Sequence, residues 1–358
     1  MNKRNGLIDF YKLIFAFIVA GYHASMFYYT DTYVLCSSGY IGVEFFFIIS
    51  GYLLASKASN GSYENIFDLN IQRIKKRIVN IFPFVALSVG CALLIFSYTY
   101  HWSIKDFIIN AIDSNVDIFG LQMTGITGFI ATGVTWYISA LYIIEFIIYP
   151  LLCVRYKMMT EYIAPILLVL IAGYLCNTTG NINDPGVWLG FVYKGLLRGI
   201  MDFCAGIITY EITNSINVKQ MSNNKRKLFS LIEIIGFSFT IIYAVLNRTP
   251  QYRDFYFIPV LMISIALAFS RADIFSTFFD KPLFAFCGKY SLSIYLNHFY
   301  LAQTLPIIFS EKNKNVILFI YIITVLSVSY FNYKLGNIIL KKIYKNRKSK
   351  EELYYEKI

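Results

Sequence analysis

Charge is what this chain has least of. Asp, Glu, Lys and Arg make up 15% of its 358 residues, while 57% are hydrophobic; an ordinary globular domain carries roughly 25% charged residues. That balance excludes a disordered chain, and no soluble core of this length would hide so much apolar surface. Histidine is scarce as well, at three residues. The six cysteines, Cys36, Cys91, Cys153, Cys176, Cys204 and Cys287, stand singly, with no C-x-x-C pair and no metal-ligand spacing. They read as small packing residues, and no metal site is expected. Cys36 and Cys176 both fall in segments placed outside, so they are the pair in which a disulfide fits the topology. Internal repeats and low-complexity tracts are absent too, which excludes solenoids and collagen-like or coiled-coil chains.

What is present is aromatic and apolar residues in long runs: 32 Phe and 30 Tyr bring the aromatic share to 18%. A membrane span needs about 20 mostly apolar residues. Ten candidates follow: 8–29, 39–56, 78–98, 134–154, 160–177, 195–212, 228–247, 255–270, 283–305 and 315–340. The first is too long for a signal-peptide core, typically about 7–15 residues, and is read as a retained span. The stretch 99–133, mixed with Gly and Asp, reads as a long extracytoplasmic loop, in part re-entrant. The expected fold is all-α and polytopic, with one membrane domain over 1–340 and a basic tail over 341–358.

The net charge of +11 would suggest nucleic acid if read alone. Its distribution points to a bilayer instead. With the N-terminus inside, 22 of the 32 Lys and Arg fall in cytoplasmic segments and six in outer loops. The positive-inside rule then puts both termini in the cytoplasm, and the basic tail reads as an attraction to anionic lipid.

Ionisable groups at membrane depth are costly and mark functional sites by default. The first span carries Lys12 and His23, eleven residues apart. At 100° per residue that spacing returns them to one face, about 16 Å apart along the axis. A cation in the inner half and a titratable base in the outer half could line one cavity. The plainer readings are a Lys12 that snorkels to the headgroups and a His23 satisfied by an interhelical hydrogen bond. Glu44, in the second span, lies at nearly the depth of His23 and is a candidate to orient it, as base and orienter are paired in acyl-transfer sites; the alternative is an interfacial Glu facing water. His298 falls in the same outer half. Arg73, Lys76 and Arg77 precede the third span, either as positive-inside anchors or as a cytoplasmic mouth for a phosphorylated donor. Trp136, Glu145, Arg198 and Asp202 complete the polar list, the last two four apart and readable as a helical pair.

Together these stretches resemble the acyltransferase-3 family of integral membrane acyltransferases. The first-span pattern of an acid, a basic residue three later and a His eleven beyond is met by Asp9, Lys12 and His23, with Lys where Arg is usual. Gly42, Val43, Glu44, Phe46, Phe47, Ser50 and Gly51 match the Gly-Val-acidic-x-Phe-Phe-x-x-Ser-Gly motif. The third-span Arg-x-x-Arg motif is met at Arg77 but has Asn80 in second place, with Arg73 and Lys76 as a shifted candidate. Trp136 matches the Trp-rich stretch, where Leu141 replaces an acid and Glu145 is a stand-in; Ser291, Tyr295, Leu296 and His298 match the late Ser-x-x-x-Tyr-Leu-x-His signature.

The resemblance implies the short, membrane-only form of a bacterial plasma-membrane enzyme with no permanently bound cofactor. Its co-substrate would be an acyl-CoA, acetyl-CoA first, and its acceptor a hydroxyl of a surface polysaccharide, envelope glycan or lipid-linked sugar. His23 and Glu44 would be catalytic, with Lys12, Arg77, Arg73 and Lys76 on the donor. Asp9, Ser50, Trp136, Glu145, Tyr295 and His298 would belong to the same site. The competing readings are a transporter or flippase of lipid-linked glycans, against which stands the lack of transporter-type repeats, and a non-catalytic scaffold.

Overall fold

The structure, a computed structural model, describes residues 4–28, 36–59, 65–126, 128–247 and 249–355, with 347–355 described by their backbone alone. Each of the ten apolar runs forms a helix. They are α1 (Gly6–Tyr28), α2 (Gly42–Ala58), α3 (Ile66–Thr99), α5 (Trp136–Val154), α6 (Ala164–Thr179), α7 (Lys194–Ser215), α8 (Asn223–Leu246), α9 (Phe257–Ser270), α10 (Pro282–Ile308) and α11 (Lys314–Tyr355), with α4 (Ile104–Asp113) in the connection after α3. Short helical turns lengthen α2 back to Gly39, α6 back to Tyr156 and α9 back to Tyr252. Eight of the ten segments are long and apolar enough to cross a membrane. The other two, α7 and α10, are diluted by polar residues, and those residues face the protein interior: Arg198, Asp202, Ser293, Asn297 and His298 are all buried. The protein is an all-α polytopic membrane protein.

Helix α3 has 34 residues, about 51 Å at 1.5 Å per residue against a hydrocarbon core of about 30 Å. Its first turns, with Arg73 to Arg77, therefore precede the apolar part, so the helix starts earlier than the apolar run alone suggests. Large apolar side chains point outward on the peripheral helices, among them Val169 and Leu170 on α6, Ile235 and Phe239 on α8, and Phe319 and Phe331 on α11. That is the arrangement a lipid solvent favours.

The centre is built by close helix pairs: α1 lies along α10, α2 along α7, and α10 also against α3 and α11. Gly51 and Gly206 bring α2 and α7 into backbone contact. A Cβ on Gly51 would meet Phe203 O at 2.2 Å, and one on Gly206 would meet Ile48 O at 2.1 Å. Small residues allow this approach, and van der Waals packing holds it where lipid supplies no hydrophobic drive between helices.

The connection 99–133 is more ordered than its composition suggests. Ser103 accepts from Asp106 N–H at 3.2 Å while Asp106 accepts from Ser103 N–H at 3.1 Å, a capping box that starts α4. Asp117 then ties the segment down. It accepts from Thr132 N–H at 2.7 Å, Thr132 Oγ1 at 3.0 Å and Gln122 Nε2 at 3.3 Å, and also from Thr135. Burial pushes its carboxyl up from the usual range, and the bonds from Thr135 and Thr132 pull the other way. A two-residue hairpin, β1 (Trp188–Leu189) with β2 (Val192–Tyr193), precedes α7. All six cysteines are free, and Cys176 sits inside α6, so the pairing with Cys36 is not made.

Candidate active site

Four cavities run in succession through the bundle, and neighbours share lining residues. The one at the N-terminal end of α1, about 680 Å³, is lined by Arg4, Asn5, Asp9, Lys12, Ser56 and Arg271 among others. Lys12 also lines the next, an inner chamber of about 250 Å³ with Ser50, Arg77, Tyr137, Ser291 and Tyr295. Tyr295 in turn lines an outer chamber of about 180 Å³ with His23, Trp136, Asp184, Arg198 and Phe299. Trp136, Gly133, Pro185 and Phe299 then continue into an outer vestibule of about 490 Å³. Helix periodicity is what strings the series together: Lys12 and His23, eleven residues apart on α1, face different chambers of one path.

The two histidines of the outer half meet. Their ring centroids are 5.1 Å apart, and Phe299 stands edge-on to His23 at 4.8 Å. Nδ1 of His298 lies 3.2 Å from the carbonyl oxygen of Ile294, one turn back on α10. A carbonyl only accepts, so in the neutral ring the proton is on Nδ1 and Nε2 keeps its lone pair. That Nε2 and Nδ1 of His23 are both enclosed without a hydrogen-bond partner. The hydroxyl of Tyr295, between the chambers, donates to Val134 O at 2.9 Å.

Glu44 is not on His23. Its carboxylate is gripped by Arg198, Nε to Oε1 at 2.5 Å and Nη2 to Oε2 at 2.8 Å, and Arg198 also donates to Tyr40 O at 2.6 Å. Both side chains are 1% exposed. The fork of a guanidinium matches a carboxylate bidentately, and the α2–α7 contact through Gly51 and Gly206 brings the pair within reach. Arg198 stacks over Trp136 at 5.5 Å and lines the outer chamber with Val43, while Glu44 stands behind it. The pairing of Arg198 with Asp202 along α7 is therefore not the one formed, and both Asp202 oxygens are buried without a hydrogen-bond partner.

The cationic cluster before the third span divides. Arg73 and Arg77, one turn apart on α3, both hold the buried carboxylate of Glu145 on α5, Arg73 at 2.8 Å. Arg73 also stacks on Tyr149 at 4.4 Å. Arg77 lines the inner chamber, whereas Lys76 is exposed on another face of α3. Leu141 lines the inner chamber one turn above Glu145, and Asn80 accepts from the Tyr344 hydroxyl at 2.6 Å. At the mouth, Asp9 takes both Arg4 and Lys12, the latter at 3.3 Å. Ser50 donates to Phe46 O at 2.9 Å and lies 3.4 Å from the Tyr137 hydroxyl. Among the described residues no group of three or more His, Cys, Asp or Glu is placed to hold a metal ion.

Tyr137 and Asp184 line the chambers without being marked by spacing along the sequence, whereas Arg198 stands out as an ion within an apolar run but with Asp202, not Glu44, as its expected partner.

These features define a class: an integral membrane protein whose bundle is threaded by connected chambers, cationic at the end near the N-terminus and histidine-bearing towards the other. A family model described as an acyltransferase domain matches residues 5–333, and the chain belongs to this acyltransferase-3 family of membrane acyltransferases. No curated protein and no solved structure matches it.

Proposed function

We propose that the protein is a membrane O-acyltransferase that takes an acyl group, acetyl first, from cytoplasmic acyl-CoA and passes it to a hydroxyl of a bacterial envelope glycan. The observation that carries this reading is the succession of chambers linking Lys12 to His23 by shared lining residues. Arg4, Arg271 and Lys12 are three cations against the two carboxylates Asp9 and Asp280, which leaves the mouth net positive and suited to the donor's phosphates. Arg73 and Arg77 share Glu145 farther along α3, and Lys76 points elsewhere. The pantetheine arm then extends past Lys12 towards Tyr295 and the outer chamber.

At His23 the imidazole takes the proton of the acceptor hydroxyl as its oxygen attacks the thioester carbonyl. The new C–O bond forms, the C–S bond breaks, and the CoA thiolate recovers the proton to leave as a thiol. In the other version compatible with the same geometry, His23 nitrogen first takes the acyl group as the C–S bond breaks and CoA thiolate leaves; the acceptor oxygen then displaces the nitrogen, and the acceptor's proton balances the thiolate as free thiol. His298, fixed by the Ile294 carbonyl, presents the lone pair of Nε2 to the same enclosure and takes the positioning role that Glu44 does not have the geometry for. Glu44 holds Arg198 in the chamber wall.

The test is release of CoA thiol from acetyl-CoA by purified protein, with and without an envelope glycan extract, compared between wild type and His23→Ala. Thiol release by wild type alone is expected. Equal release by a well-folded His23→Ala variant would remove the centre of the proposal. Silence of the wild type with acetyl-CoA, succinyl-CoA and glycan extract would favour a transporter.

A further inference from the structure

The outer chamber contains a carboxylate that the proposed chemistry does not use. Asp184 lines it with His23 and is exposed, and although its backbone carbonyl accepts from Val187 N–H at 3.3 Å, its carboxylate takes no hydrogen bond or ion pair from the described residues. Its backbone has φ 59°, in the left-handed region, directly before Pro185. Only a minority of non-glycine residues adopt that conformation, although Asp tolerates it better than most. The segment is held from both sides: Pro185 O accepts from Gly195 N–H at 3.0 Å, Val187 O accepts from Lys194 N–H at 2.8 Å, and Asn183 Nδ2 donates to the Tyr22 hydroxyl at 2.9 Å. The start of α7 and the outer half of α1 thus fix Asp184 at the rim of the histidine chamber.

The opposite walls are aromatic. Trp136 and Phe299 line both the outer chamber and the vestibule, and Tyr193 lines the vestibule. Phe299 packs against Gly133, where a Cβ would meet its ring at 2.1 Å, and the same ring makes a T-shaped contact with His23. No charged side chain is among the described residues lining the vestibule. Of the cations near the chamber, Arg198 is paired with Glu44, and Lys194 is buried behind the lining, donating to Asn181 Oδ1 at 3.0 Å with Asp184 as a neighbouring acid.

We propose that Asp184, Trp136 and Phe299 form an acceptor subsite for an uncharged sugar ring. This deepens the acyltransferase reading and rests on it for the direction from which the acceptor arrives. A pyranose has a face of C–H groups, weakly positive, and an edge of hydroxyls. The face stacks on the negative face of an aromatic ring, and two neighbouring hydroxyls donate to one carboxylate in charge-assisted hydrogen bonds. Held between Trp136 or Phe299 and Asp184, the ring directs a further hydroxyl towards His23. An acidic sugar would set its charge against Asp184. Among the described residues, the one cation acting on that carboxylate without an ion pair of its own, Lys194, is buried and lines neither chamber nor vestibule, which leaves discrimination by repulsion. The two ends of the path are thereby matched to opposite ligands: cationic for the donor's phosphates, and acidic and aromatic for a neutral acceptor.

Saturation-transfer NMR tests this on the whole protein in lipid nanodiscs free of glycoside detergent. The probes are the methyl glycosides of glucose, galactose, N-acetylglucosamine and glucuronic acid. At least one neutral glycoside is expected to receive saturation at its ring C–H protons, and the glucuronide none. Asp184→Ala and Trp136→Ala should each weaken that binding, Asp184→Ala by roughly ten- to hundred-fold, the loss of hydrogen bonds to a charged group. Binding of radiolabelled acetyl-CoA, which enters at the other end, should be unchanged in Asp184→Ala and reports that the variant is folded. Equal binding of the glucuronide, unaltered binding in Asp184→Ala, or no glycoside bound would overturn the subsite. Thiol release is a separate readout: its absence with sugar binding intact sinks the acyltransferase reading, and its presence without sugar binding sinks the subsite alone.

Discussion

Replacing Glu44 by Gln separates two roles for this residue. If Glu44 serves Arg198, the substitution removes one partner of a pair whose side chains are both 1% exposed. Breaking a buried pair from one side costs about 3–5 kcal/mol, because the remaining charge is left in a poor solvent. Two features of the site lower that figure. Arg198 keeps its bond to Tyr40 O at 2.6 Å, and the buried carboxyl of Asp202, four residues along α7, is available as a substitute counter-ion. We therefore expect the low end, about 3 kcal/mol, which at roughly 2–4 °C per kcal/mol lowers the melting temperature by about 6–12 °C. Arg198→Met should cost more, since it strands Glu44 and Asp202 together. The double variant Glu44→Gln, Arg198→Met should recover part of the loss, as neither half of the pair is then left behind. The assay is thermal unfolding of the detergent-purified protein, followed by fluorescence-detected size exclusion, with CoA thiol release measured per folded molecule. A Glu44→Gln variant that melts like the wild type but has lost its activity would refute this reasoning and return Glu44 to the chemistry.

Substitutions at three further positions probe the path. Lys12→Arg should retain donor affinity and Lys12→Ala should raise the apparent KM for acetyl-CoA about tenfold, the loss of one charged hydrogen bond; an unchanged KM would disconnect Lys12 from the donor. Gly288→Ala would place a Cβ 2.1 Å from Asp9 Oδ1, pushing aside the carboxylate that holds Lys12. Its KM for acetyl-CoA should rise in the same direction, and the double variant with Lys12→Ala should add little, so strict additivity would count against the link. Asp117→Ala removes the common acceptor of Thr132 and Gln122, leaving buried donors unmatched at about 1–3 kcal/mol each. Protease added from the vestibule side should then cut between residues 119 and 131 in the variant before it cuts the wild type.

Ten apolar runs translate into ten helices because apolar length is the property a bilayer selects, and it is written locally. The exceptions are instructive. The start of α3 lies before its apolar run because Arg73 and Arg77 reach Glu145 rather than water, which no local hydropathy records. The connection 99–133 contains α4, whose Ser103 and Asp106 capping pair is a local signal that a search for membrane spans passes over. For the site, the stripe from Lys12 to His23 is arithmetic on one helix, and the common depth of His23 and His298 anticipates that their rings meet. The partner of Glu44 is a different matter. Arg198 is 154 residues away, and the choice between it and His23 depends on how closely α2 and α7 approach. Gly51 and Gly206 set that approach, and their meaning appears only when the two helices are seen together.

The same geometry bears on whether the path conducts a whole solute or only a group. Pockets that enclose a drug-sized ligand run from about 300 to 1,000 Å³. The two terminal cavities, about 680 and 490 Å³, fall in that range. The two inner chambers, about 250 and 180 Å³, fall below it, and they meet at Tyr295, whose hydroxyl is held by Val134 O. A flippase must pass a sugar and its lipid attachment through every section of its route. A transferase asks less of the middle: each substrate fills its own end, and the extended pantetheine arm with its acyl group occupies the narrow part. Wide ends with narrow chambers joined at a tethered tyrosine fit the second demand. The placement of charge follows the same division, since Arg4, Lys12 and Arg271 are at the end near the N-terminus and His23 with Asp184 beyond the constriction.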